Sequence, residues 1–127
     1  MTIFRDIEIE WRGRTYAVVP RLQLLRRVEG QGVSLLDMVS RIGTGSPPVS
    51  EVALLIATLL ADAGARVEGE TGPRPVTEDD VYAEIMLSLQ DGDHGPFTAL
   101  ATAAAVAVTP APRAEKKPGP RAEPPPA

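Results

Sequence analysis

The residues best equipped for chemistry fall into two acidic clusters and two glycine-flanked turns. His94, in "GDHGPF", is the single histidine and has Asp91 and Asp93 beside it. A metal site would need two or three more ligands converging from elsewhere, and a lone loop histidine is more often simply solvated. Glu78, Asp79 and Asp80, in "VTEDDVYAEIM", have the chemistry of acid–base carboxylates. Their place in the first turn of a helix already explains them, because the helix dipole favours negative charge there and no catalytic partner set accompanies them. The glycines of "EGQGVS" and "RIGTGS" resemble fragments of a phosphate loop. Neither stretch follows a buried strand or carries the lysine such a loop uses, so both read as turns. With no cysteine in the chain, thiol catalysis, disulfides and cysteine-ligated zinc are excluded. The expectation is a protein that is not an enzyme and uses neither cofactor nor metal.

Charge narrows the partners. The net charge of −4 divides unevenly. From Thr109 onward Arg113, Lys116, Lys117 and Arg121 outnumber Glu115 and Glu123, whereas residues 1–108 carry 9 basic against 15 acidic side chains. A body that acidic repels phosphate backbones, and its helices offer no basic stripe, so nucleic acid is not an expected partner. The N-terminal "MTIFRDIEIEW" lacks the basic and apolar regions of a signal peptide. The longest apolar run, "VALLIATLLA" at 52–61, is about half of what a membrane crossing requires. A cytoplasmic location without membrane contact is expected.

The positioning elements follow from hydrophobic period. Ile3, Ile7, Ile9 and Trp11 alternate with Asp6, Glu8 and Glu10, "RGR" at 12–14 supplies a turn, and "TYAVV" at 15–19 suits a return strand. The period then changes to 3.6. Pro20 suits a first helical turn, with Leu22, Leu24, Leu25 and Val28 on one arc and an end near Gly30 or Gly32. Ser34 is the expected N-cap of the next helix, with Asp37 as the answering carboxylate and Leu35, Met38, Val39 and Ile42 as the apolar stripe. After the breaker "TGSPPVS", Val52, Leu55, Ile56, Leu59, Leu60 and Ala63 predict a long amphipathic helix closed by Gly64. "EGETGPRP" at 68–75 reads as a loop. Thr77 with Asp80 opens a further helix with Val81, Tyr82, Ile85 and Leu89 inward and Gly92 at its end, and 95–108 forms a last alanine-rich helix.

The fold class expected is α+β and mostly α: an N-terminal β-hairpin packed on a small bundle of four to five short helices, with no strand between residues 52 and 90. Residues 1–108 form one domain. Residues 109–127 hold seven of the 13 prolines and read as a disordered tail. Two leucines do not fit their stripes. Leu54 points away from the Val52, Leu55, Leu59 face, and Leu87 away from the Val81, Ile85, Leu89 face. Scattered exposed leucines are common in small bundles, and a binding groove between the two helices is the other reading.

One pattern runs through about residues 5–91. A short hairpin, a leucine-rich helix ending in Glu29 and a glycine, "GVSLLDMVSRIGTG", a long apolar helix and the "VTEDDVYAEIM" opener together resemble the small tail assembly chaperones of long-tailed bacteriophages. The branch associated with gene transfer agents and prophages is the most similar. The resemblance implies a non-catalytic chaperone in the host bacterial cytoplasm. It would bind the tape-measure protein before the tail tube polymerises, keep that partner's apolar helices soluble and be absent from the finished tail. The tail tube protein is a second partner to consider, and homo-oligomerisation is left open. Leu54 and Leu87 are then the expected partner-binding residues. A structural virion component, such as a tail completion or connector protein, is the alternative. The proline-rich tail is longer than that family leads one to expect, and a frameshift-extended form is not legible in one sequence.

Overall fold

In the computed structural model, which describes residues 6–110, the elements run β1 (Ile7–Trp11), β2 (Arg14–Val18), α1 (Leu22–Glu29), α2 (Leu35–Gly43), α3 (Val49–Asp62), β3 (Arg66–Gly69), β4 (Gly72–Pro75), α4 (Glu78–Gln90) and α5 (Gly95–Ala107). The class is α+β, mostly α, with a hairpin leading five helices. Ile3 and nearly all of the proline-rich tail lie outside the described residues. Among the described residues no helix is long and apolar enough to cross a membrane.

The first hairpin obeys its period-two pattern. Arg12 and Gly13 both take positive φ, 52° and 77°, the geometry that lets a two-residue loop follow the twist of its strands. The loop sets the register Trp11↔Arg14, Ile9↔Tyr16 and Ile7↔Val18, which puts Ile9, Trp11 and Val18 into the core. The return strand begins at Arg14, one residue earlier than expected.

Helix α1 also starts differently. Pro20 is buried ahead of the helix, Arg21 is the N-cap and Leu22 is the first helical residue. Leu24, Leu25 and Val28 are buried as their arc predicts, but Leu22 is 49% exposed. Helix α2 opens on Ser34, whose Oγ accepts from the Asp37 N–H at 3.2 Å. The Leu35 N–H donates to Glu29 Oε2 at 3.4 Å, so the end of α1 satisfies a second free donor at the start of α2.

Helix α3 is the centre of the molecule. It packs against α1, α4, α5 and β2. The predicted stripe is buried from Val52 to Leu60, Leu59 included, Ala63 is partly buried just past the helix end, and Ala53 and Ala57 are buried as well. An amphipathic helix with one inward face was expected; with neighbours on several sides, its exposure runs mainly along the edge of Ser50, Leu54, Thr58 and Asp62. Helices α3 and α4 end alike. Gly64 and Gly92 take φ of 95° and 79°, and the next residue's N–H turns back onto Leu60 and Ser88 oxygens respectively, at 2.9 Å in each case.

The segment expected to be a loop is a second hairpin. Strands β3 and β4 pair antiparallel around Glu70 and Thr71, with Gly69↔Gly72, Glu68↔Pro73, Val67↔Arg74 and Arg66↔Pro75. The expectation of no strand between 52 and 90 is therefore wrong. Two prolines within four residues argue against a strand, yet they occupy alternate positions of this ladder. The Val76 N–H donates to the Ala65 oxygen at 3.3 Å, which places the inward N–H groups on Gly72, Arg74 and Val76. Pro73 and Pro75 fall where an N–H would point away from β3, so neither costs a ladder bond. Ala65, Val67 and Val76 are the apolar residues that anchor the hairpin to the core.

Helix α4 begins with a complete capping box. Thr77 Oγ1 accepts from the Asp80 N–H at 3.4 Å, and Asp80 Oδ2 accepts from the Thr77 N–H at 2.9 Å. Val81 and Ile85 are buried and Leu89 is partly buried, but Tyr82, expected on the inward face, is 38% exposed at its edge. Helix α5 closes the core with Leu100, Ala101, Ala104 and Ala107.

Candidate functional site

The chemically equipped residues are placed as follows. His94 is the residue before α5, exposed and making no capping bond, while Asp93 Oδ1 accepts from the Gly95 N–H at 3.1 Å. Among the described residues no three His, Asp or Glu side chains lie together as a metal would require. Of the three carboxylates at the start of α4, Asp80 is committed to structure. It takes the Thr77 cap and a bidentate contact from Arg74 on β4. The Arg74 guanidinium holds the Asp80 carboxyl well below the usual carboxylate range, with the Thr77 N–H and hydroxyl adding to it and partial burial opposing it.

Leu54 and Leu87 occupy different surfaces. Leu54 is partly buried against the core and lines a cavity of about 360 Å³. Its walls are Leu54, Ala57, Thr58 and Ala61 of α3, Arg27 of α1, and Val76 to Glu78 at the start of α4. Asp62 stands at its edge, ion-paired to Arg21 at 2.6 Å. This hollow lies between α1, α3 and the start of α4, not along the α3–α4 seam, where the two helices pack directly. Leu87 is not in its wall. It stands 60% exposed on the side of α4 opposite Ile85. Tyr82 and Met86, 41% exposed, form a separate apolar edge one turn apart.

A more apolar groove lies elsewhere. Helices α1 and α2 and the end of α5 enclose about 390 Å³ walled by Leu22, Leu25, Leu35, Leu36, Val39 and Val108, with Arg26 and Glu29 on the rim. Leu36 is 83% exposed, the most exposed large apolar side chain of the described residues. Sequence reasoning placed Leu22 inside and passed over Leu36. The available signal was the helical wheel of α2: at 100° per residue Leu36 falls outside the arc that Leu35, Met38, Val39 and Ile42 share.

Two short helices linked by the Glu29–Leu35 contact hold four leucines around an open channel, with Arg26 and Glu29 at its rim. Compared with protein-family models, curated proteins and solved structures, the chain shows no match to any of them.

Proposed function

We propose that this protein acts by binding, as a tail assembly chaperone of a phage or prophage that holds apolar helices of a tape-measure protein before the tail tube forms. The observation that supports this reading is the α1–α2 groove, with Leu36 held almost wholly in solvent at its edge. An exposed leucine beside an apolar channel is a favourable contact still to be made. Burying one such side chain contributes roughly 1.5–3 kcal/mol, which changes affinity by about tenfold to a hundredfold or more.

An amphipathic helix laid into the channel would place apolar residues of its i, i+3, i+4, i+7 series against Leu22, Leu36 and Val39, and polar residues toward Arg26 and Glu29. The task requires no cofactor and belongs in the host cytoplasm, where the tail is built. Mass spectrometry of purified particles tests the role. A chaperone is absent from them; stoichiometric presence would point instead to a structural virion component.

A further inference from the structure

A second recognition surface lies between the two hairpins. The face of the first hairpin that carries Trp11 continues outward through Arg14, which pairs with Trp11 across the strands, and Tyr16. It overhangs the outer face of the second hairpin, where Arg66 and Glu68 flank the inward Val67 and Pro73 lies opposite Glu68. Together with Arg12 these residues wall a cavity of about 480 Å³.

Three guanidiniums thus converge in a body that carries 9 basic against 15 acidic side chains. Like charges brought together repel one another, and the fold compensates only one of them. Arg12 reaches Glu84 at 3.3 Å and lies 4.5 Å above the Trp11 ring centroid. Among the described residues neither Arg14 nor Arg66 is in an ion pair, and the buried indole N–H of Trp11 has no acceptor. Among the described residues Glu68 is the single carboxylate of the wall.

We propose that this cavity binds a short acidic peptide segment of a partner protein, one or two glutamate or aspartate side chains seated between Arg14 and Arg66. A planar guanidinium pairs with a carboxylate through two parallel hydrogen bonds, and it sheds water more readily than an ammonium group does. Tyr16 and Pro73 supply apolar faces for the methylene groups of a glutamate. A long polyanion is disfavoured: Glu8 and Glu10 stand exposed on the outer side of β1, so a nucleic-acid backbone leaving the cavity would run onto negative charge. This surface is separate from the α1–α2 groove, and its failure would leave the proposed function untouched.

The test uses the full chain at low ionic strength, titrated with a hexaglutamate peptide and followed by calorimetry and by the fluorescence of Trp11, the only tryptophan. Saturable binding that perturbs Trp11 is expected. Arg14→Gln with Arg66→Gln should weaken it at least tenfold, with melting temperature and circular dichroism unchanged. Arg27→Gln with Arg41→Gln, an equal loss of exposed charge elsewhere, should leave it within about twofold. The proposal is overturned if binding does not saturate, or if both double variants weaken it alike. It is also overturned if inorganic phosphate binds as tightly as the peptide, which would assign the cavity to small anions.

Discussion

Arg74 on β4 grips both carboxylate oxygens of Asp80 on α4, Nη1 to Oδ2 at 2.8 Å and Nη2 to Oδ1 at 3.0 Å, so the second hairpin is locked to the helix it precedes. The same carboxylate closes the Thr77 capping box. Asp80→Ala removes the reciprocal arm of the cap together with the clamp and should cost about 1–2 kcal/mol, read by urea unfolding at pH 7.

The pH dependence of that contribution has a definite sign. A carboxyl held below its ordinary value in the folded state stabilises fully above the unfolded pKa of about 3.9, and its contribution fades as pH falls from there through the folded value. The stability difference between the parent and Asp80→Asn should therefore be constant from pH 7 to 5 and shrink below about pH 4. A difference that grows on acidification would show that Arg74 does not stabilise the charged form.

Three leucines should respond according to depth. Leu59, buried at the centre of α3, should lose about 2–5 kcal/mol on Leu59→Ala. Leu54, partly buried, should lose less than Leu59 on the same change. Leu87→Asp, on the outer side of α4, should stay within about 0.5 kcal/mol of the parent. Melting curves of the three variants give the order directly.

The second hairpin predicts an unusual contrast between neighbours. Pro73→Thr should be nearly neutral, because position 73 lends no N–H to the ladder. Gly72→Val places a β-branched residue at a φ of 118° and should cost more than about 1 kcal/mol. Hydrogen exchange at Val76, whose N–H bonds to Ala65, would report the loosening of that hairpin.

Sequence legibility followed the strength of the local signal. The first hairpin was readable because four apolar residues alternate with acids ahead of an Arg-Gly turn, and the caps at Ser34 and Thr77 because their partners lie three residues on. The second hairpin was not, since few apolar residues, Ala65, Val67 and Val76, anchor it and its prolines mimic a breaker. Helical wheels fix angles within one helix but not which neighbour covers which angle. That is why Tyr82 and Leu22 are more exposed than their arcs implied, and why Ala53 and Ala57 are buried beyond theirs. Leu54 is partly buried against the core and Leu87 is exposed, and their separation on two surfaces depends on where α1 and β4 pack. The cavity between the hairpins joins Arg14 to Arg66 through tertiary folding, which no spacing announces.

Binding of a tape-measure protein in the α1–α2 groove, as proposed, is read by co-expressing the two proteins. The parent chain should keep that partner in the soluble fraction and co-purify with it. Leu22→Asp with Leu36→Asp should abolish both effects, with the melting temperature within a few degrees of the parent, since both side chains already face water. Equal rescue by the parent and the folded double variant, or no rescue by the parent, would rule out the groove as the binding site.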